Sequence, residues 1–480
     1  MRSRRARGLV IVAVVLASAS TAAGCATSSI AADTDRVREL TRVEHVVRVA
    51  DADVDPVAAE EVRPLLEQPL DADTAVRVAL LGNRELRATL REMGIARGQL
   101  MQAGLLPNPV VEAEYLPERD TQIELRVEYD VTGAILAPLR ARAFKPDLEA
   151  AHYRAAGAVV DLGYRVRLAF YALQSAEQRL AIAQRVLDGQ AAGRDAARAM
   201  LAAGNLPELD VASQEAAYEK ARITVAQLEL DATTARERMQ RMLGTHGPDT
   251  AWRVRGELPA APEQSSVPEQ LETKALRASF DLMEAKQRLE GLARRAGFTR
   301  TEGWLPDVTA DVHALTGTPE SSAATTSGRD WAFGGGVSVA LPLFDRGQGN
   351  AAALEAEFDA LMERYHGMAI DLRSAAREAR ARVASAHARA RQYQDVIVPA
   401  QRRVTEQTLL QYNAMQIGIF QLLQARRDEL DVQLAQVETL REYWSAVAAL
   451  DALLAGRRVA PDASTSSTSM GGPAESAGGH

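Results

Sequence analysis

The side chains best suited to chemistry in this 480-residue chain are one cysteine, seven histidines and a regularly spaced set of carboxylates. Cys25 is the only cysteine, and it follows Ala22-Ala23-Gly24, an apolar run from Leu9 to Leu16, and four arginines at Arg2, Arg4, Arg5 and Arg7. A basic start, a short apolar stretch and small residues before the thiol make 1–24 a signal peptide ending in a lipobox, with Cys25 lipidated as the first mature residue. A lone cysteine has no internal disulfide partner, so lipidation is the chemistry left to it. The histidines (His45, His152, His246, His313, His366, His387, His480) are scattered without ligand spacing. His366, near Met362 and Met368, reads as a helix surface rather than a copper site. No HExxH, CxxC, GxSxG or P-loop motif occurs, so the expectation is a protein that is not an enzyme, with no catalytic residue, cofactor or metal site. Gly334 to Gly336 falls within a strand, where close backbone approach accounts for it better than phosphate binding.

The carboxylates recur at every second position. Ile123, Leu125, Val127, Tyr129 and Val131 alternate with Gln122, Glu124, Arg126, Glu128 and Asp130; before a short Pro117 to Asp120 turn, Val111, Ala113 and Tyr115 alternate with Glu112 and Glu114. This period of two describes a hairpin, spanning 107–131, with one apolar and one wet face. A second hairpin, 306–341, repeats the plan: Val308, Ala310, Val312 and Ala314 alternate with Thr309, Asp311 and His313, followed by a strand containing Trp331, Phe333, Val337 and Val339. The strands have about the 9–11 residues that cross a bilayer obliquely, with aromatic residues near their ends. If lipid takes the apolar face, the lumen receives Glu112, Glu114, Glu124, Glu128, Asp130 and Asp311 against Arg126, a net of five negative charges with His313 neutral. Four strands cannot close a barrel, and unpaired edges are not tolerated in lipid, so several chains must pool their hairpins. No apolar stretch after Cys25 has the roughly 18–20 residues of a spanning helix. The formal charge of −8, which becomes −12 without the four signal arginines, disfavours nucleic acid as a partner.

The remainder positions these strands. Residues 25–70 are mixed in charge and interrupted by Pro56, Pro64 and Pro69, and read as an extended N-terminal segment. Asp71 suits an N-cap, with helix from Ala75 to Gly104. After each hairpin comes a heptad-like pattern, first through Leu162, Val166, Ala169, Leu173, Ala176, Leu180, Ala183 and Leu187, then descending through Tyr218, Ala221, Val225, Leu228 and Met239. From Pro146 to Ala203 such a helix would run about 86 Å. The second copy ascends from Asn350 to about Tyr412, with Pro399 as a bend or junction, and descends with Leu423, Leu430, Val437 and Trp444 at every seventh residue. Leu201, Gly204, Asn205, Leu206, Pro207 and Asp210 form the first tip; Tyr412, Met415, Gln416, Ile417, Gly418 and Phe420 form the second, with Gly204 matching Met415. The chain thus divides into 71–249 and 250–456 as tandem repeats, with 457–480 a disordered polar tail.

A lipobox, Leu-Pro-Asn-Pro opening one hairpin, a second hairpin ending in ALPLFDRGQGN and two Ala-rich helical hairpins together resemble the TolC-like outer-membrane efflux proteins over roughly Leu70 to Gly456. The resemblance implies a mainly α fold with a β-barrel part, in which a homotrimer builds a twelve-stranded transmembrane barrel and a periplasmic α-barrel. It also implies an adaptor docked at the tips, an inner-membrane pump of the resistance-nodulation-division type, and a passive outer-membrane conduit for heavy-metal cations or drugs. A type I secretion exit duct and a non-conducting envelope tether are the alternatives. Two departures are ILAPLRARAFKPD where the Gly-containing counterpart of LPLFDRGQGN is expected, and Met415 where the family often has glycine.

Overall fold

The computed structural model describes residues 30–43, 46, 54–116, 122–265, 267–317 and 330–459. Two copies of one plan follow each other: a broken helix pair, a β-hairpin, and a long helical hairpin. The first copy contains α3 (Ala72–Gly82), α4 (Arg84–Gly104), β1 (Val110–Leu116), β2 (Gln122–Asp130), α5 (Val131–Ala202) and α6 (Glu208–Leu243). The second contains α7 (Leu271–Ala278), α8 (Phe280–Glu302), β3 (Asp307–Gly317), β4 (Asp330–Ala340), α9 (Gln348–Gln392), a π-helical turn (Tyr393–Ile397), α10 (Val398–Asn413) and α11 (Ile419–Leu454). They are preceded by α1 (Ile30–Thr41) and α2 (Val54–Leu66).

The two hairpins join into one antiparallel sheet in the order β1-β2-β3-β4. Register aligns Val111 with Val127, Val312 and Gly335, and Tyr115 with Ile123, Thr316 and Trp331. Because side chains alternate across a strand, the alternating apolar sets of all four strands therefore share one face, and Val110 and Leu315 fall on the other. Both hairpin turns expected at Pro117–Asp120 and beyond Gly317 lie outside the described residues.

At 72 residues, α5 spans about 108 Å at 1.5 Å per residue. It starts directly at the sheet, where Asp130 accepts a 2.7 Å hydrogen bond from the Gly133 N–H and caps it. It also runs through Pro138 and Pro146, although proline removes an i→i−4 bond. The carbonyl that Pro146 leaves open, that of Arg142, accepts from Arg294 Nη1 of α8 at 3.0 Å. The segment ILAPLRARAFKPD is thus helical, and a neighbouring side chain stands in for the missing backbone donor.

The helix expected from Ala75 to Gly104 is two helices broken at Asn83, whose side chain caps α4 by accepting from the Leu86 N–H at 2.9 Å. Ser279 makes the equivalent break between α7 and α8, accepting from the Leu282 N–H at 3.3 Å. Each break receives the C-terminal glycine of a descending helix. Gly244 (φ 73°) ends α6 against Gly82, and a Cβ there would lie 2.5 Å from the Gly82 carbonyl oxygen. Gly456 (φ 102°) ends α11 in the same way, and a Cβ would lie 2.3 Å from the Ala278 oxygen. Both positions need glycine for the left-handed backbone and for the close approach. Around these junctions sit two apolar cores, one containing Leu90, Leu162, Leu173, Met239 and Trp252, the other Leu271, Leu372, Val383, Leu430 and Leu440.

The N-terminal region departs from the extended segment expected for 25–70. It forms α1 and α2, the latter with Pro64 inside it. Mixed charge misleads over α1, where tertiary partners are available: Asp33 is buried, receives Arg97 Nε at 2.6 Å from α4, and lies 2.8 Å from His152 Nε2 of α5. Burial pushes the Asp33 carboxyl up, but hydrogen bonds from Arg97 and His152 and their charges outweigh it and hold it below the ordinary carboxylate value. A depressed folded-state pKa means that this clamp stabilises fully above the ordinary value and is lost as pH falls through the lower one. Asp33→Asn is expected to weaken the docking of α1 by about 3 kcal/mol, since it leaves Arg97 facing a neutral partner. Hydrogen exchange at neutral pH checks this, with faster exchange across 30–41 and unchanged protection in α5.

Candidate functional site

The polar face of the sheet is built in cross-strand rows. Glu112 of β1 stands opposite Arg126 of β2, which stands opposite His313 of β3 and, through it, Gly334 of β4. The next row reads Val110, Glu128, Asp311, Gly336, and the row on the other side reads Glu114, Glu124, Leu315, Ala332. Glu112, Glu114, Glu124, Arg126, Glu128, Asp130 and Asp311 therefore share one face, as the alternation predicted. Two refinements follow. Arg126 Nη2 binds Glu124 Oε1 at 2.9 Å, and Asp130 is engaged as the α5 cap, so neither carboxylate is a bare charge.

Gly334 and Gly336 leave the β4 end of these rows open. A Cβ on Gly334 would lie 2.4 Å from His313 Nε2, and one on Gly336 would lie 2.6 Å from Asp311 Oδ1. The glycine run thus makes a shelf on which the Asp311 and His313 side chains lie, the close approach anticipated, here of side chains onto backbone. On the opposite face Val111, Tyr115, Val127, Val312, Phe333 and Val337 are exposed within the chain. Tyr115 and Trp331 lie in the row nearest the hairpin ends, while Trp304 and Phe344 are exposed at the helical end.

At the far end of the arms the two tips have the same backbone. Gly204 has φ 74° and Met415 φ 57°, both left-handed. Gly204 N–H donates to the Leu201 carbonyl at 2.8 Å and Asn205 N–H to Met200 at 2.9 Å; Met415 N–H donates to Tyr412 and Gln416 N–H to Gln411, both at 2.9 Å. Pro207 occupies the N-cap of α6, one position before its first turn. Gly418 caps α11, with its N–H donating to Gln421 Oε1 at 2.7 Å. Leu206, Ile417 and Phe420 are half-buried, whereas Leu201, Tyr412 and Met415 are exposed together with Leu209, which the tip motif did not single out. Its missed signal was the apolar side chain two residues after the proline.

Among the described residues no helix is long and apolar enough to cross a membrane, and no group of three or more His, Cys, Asp or Glu side chains is arranged to hold a metal. Cys25 lies outside the described residues. A four-stranded sheet with one apolar and one charged face, carried on helical hairpins about 100 Å long, defines a channel-forming envelope protein rather than an enzyme. The chain belongs to the outer membrane efflux protein family, whose profile matches residues 118–245 and 271–456. It is 24% identical over 390 residues to the cobalt-zinc-cadmium resistance protein CzcC of Cupriavidus metallidurans, covering 80% of this chain and 90% of that protein. Its fold matches the outer-membrane channel OprN with a TM-score of 0.65 at 21% identity, over 87% of this chain and 95% of that one. The Campylobacter jejuni CmeC outer membrane channel matches with a TM-score of 0.63 at 16% identity, over 80% of this chain and 85% of that one.

Met415 is 93% exposed and carries a side chain where its counterpart has none. A non-glycine residue in the left-handed region costs about 1–2 kcal/mol, partly returned through the greater freedom of an unfolded glycine. Met415→Gly is therefore expected to slow hydrogen exchange of the 410–420 amides, and Gly204→Ala to speed exchange at the first tip. Opposite signs at the two tips are the check.

Proposed function

We propose that three copies of this chain form the outer-membrane conduit of a tripartite export system, a passive path from a periplasmic adaptor and an inner-membrane pump of the resistance-nodulation-division type to the exterior. The observation that carries the reading is the sheet: its alternating apolar sets fall on one face, its carboxylates on the other, and among the described residues β1 and β4 end it as edges without a partner strand. Three such sheets give twelve strands, within the range of closed membrane barrels, and closure pairs every edge. Lipid then covers the apolar face and water fills the lumen. Cys25 adds a lipid anchor to the barrel's own hold on outer-membrane lipids. The tips, one arm's length away, dock the adaptor and close the tube.

Heavy-metal cations are the favoured cargo, with drugs the alternative. The support is the acidic polar face, together with the relative whose name records cobalt, zinc and cadmium resistance. Rings of carboxylates attract cations, although a wide bore and a Debye length of about 8 Å at physiological salt soften the preference. A tether without conduction has no use for a charged face opposite an apolar one.

Native mass spectrometry of detergent-extracted protein is expected to give a trimer; a stable monomer would remove the barrel. In planar bilayers under a potassium chloride gradient, the reversal potential is expected to indicate mild cation selectivity, which grows as salt is lowered and falls on combining Glu124→Gln with Glu128→Gln. At the tips, Leu206→Asp with Ile417→Asp is expected to abolish export while trimer yield and outer-membrane level stay unchanged, and export that survives both changes counts against docking there.

A further inference from the structure

We infer that His313 makes the ion selectivity of the conduit depend on pH, through an imidazole held on a glycine shelf in the lumen wall. The inference rests on the conduit reading above and deepens it. Asp311 Oδ2 lies 3.0 Å from His313 Nδ1. A carboxylate only accepts hydrogen bonds, so this contact makes Nδ1 the donor and leaves Nε2 as the basic nitrogen of the neutral ring. Nε2 lies over Gly334, where no side chain stands between it and the next strand. The ring is therefore oriented at one nitrogen, and its side chain, 29% exposed, is half-buried on the shelf rather than sealed from water.

The surrounding charges favour a local response. Arg126 stands directly across from His313 on β2, but its guanidinium is drawn toward Glu124, 2.9 Å away. Glu128 on β2 is opposite Asp311, and Glu112 on β1 is opposite Arg126. On β4 the facing positions are Gly334 and Gly336, which carry no charge. Like charges directly opposite one another on a sheet repel, so the Glu128–Asp311 pair gains from a positive charge placed beside it. Imidazole is the side chain whose charge ordinarily changes between pH 5 and 8. Protonation at Nε2 keeps the Nδ1–H bond to Asp311, requires no rearrangement, and adds one positive charge per chain among the carboxylates. In the proposed trimer this makes a ring of three charges at one level of the bore.

The experiment is the reversal potential of wild type and His313→Gln in planar bilayers at low potassium chloride, from about pH 8 to about pH 5.5. Wild type is expected to lose roughly twofold in its cation-to-anion permeability ratio on acidification, while His313→Gln keeps a nearly constant ratio close to the wild-type value at high pH. His366→Gln, on α9 away from the sheet, is expected to behave as wild type. A wild-type response that survives in His313→Gln overturns the assignment and leaves the conduit standing, because conductance and its carboxylate dependence are then intact. A ratio in wild type that does not change with pH overturns it equally. Protein that inserts as a trimer without conducting overturns both readings.

Discussion

The constraint on which the rest depends is the accounting of backbone hydrogen bonds at the two outer strands. Among the described residues, β1 and β4 each present one edge whose N–H and C=O groups find no strand partner. In water such an edge is solvated; in hydrocarbon each unsatisfied group costs several kcal/mol. A seven-residue edge on one side and an eleven-residue edge on the other are therefore tolerable in lipid only against another copy. Once copies close a ring, the sheet must curve with its carboxylates inward, and each α5 and α9 must leave the ring in the same direction. In the proposed assembly the length of the arms, the pairing of the two repeats at their glycine junctions and the shared backbone of the tips all serve one geometry: a wall that starts at the membrane and ends, about 100 Å away, in a set of equivalent turns.

Much of this was legible in the chain. Alternation at Glu112 to Tyr115 and Gln122 to Val131 placed the strands to within a few residues, because a half-buried strand writes its two environments into every second side chain. The heptad residues Leu162, Val166, Ala169 and Leu173 were likewise readable and are all buried. What escaped depends on partners distant in sequence. Asn83 and Ser279 look like ordinary helix residues until Gly244 and Gly456 dock against their breaks. Pro146 looks like a helix start until Arg294 reaches the carbonyl it orphans. Mixed charge hides α1, and Pro56 and Pro64 lie within the span of α2; Asp33 becomes an anchor only because α4 brings Arg97 and α5 brings His152 to it. At the site, the polar face was predicted as a set, while the shelf under His313 was not: the glycine run was seen, but which side chains it would admit depends on register across β3 and β4.

Function follows from separating roles along one axis. In the proposed conduit the sheet would carry the electrostatics, the arms distance, and the tips recognition. The helical arms contribute little that is chemically specific, and their ion pairs, such as Arg198 with Glu215 and Arg389 with Glu442, are exposed surface pairs of the kind worth a fraction of a kcal/mol each. Alanine at core positions such as Ala169, Ala183, Ala376 and Ala390 instead lets the helices approach closely. Stiffness thus comes from packing, which leaves the polar surface free to vary with whatever passes through.

The π-helical turn at Tyr393–Ile397 bears on how the two repeats diverged. From the last strand residue to the left-handed tip residue is 74 positions in the first copy, Asp130 to Gly204, where the helix starts at once at Val131, and 75 in the second, Ala340 to Met415, where it starts only at Gln348. An extra residue in an uninterrupted α-helix turns everything beyond it by about 100°, which would swing the packed stripe of the arm off its neighbour. A π turn takes up one residue locally and returns the helix to its former phase, and Pro399, just beyond, cannot donate the bond that would draw the turn back into the regular ladder. The π turn thus confines a one-residue change of phase to five positions of the second arm, and the helix beyond it keeps its packed stripe.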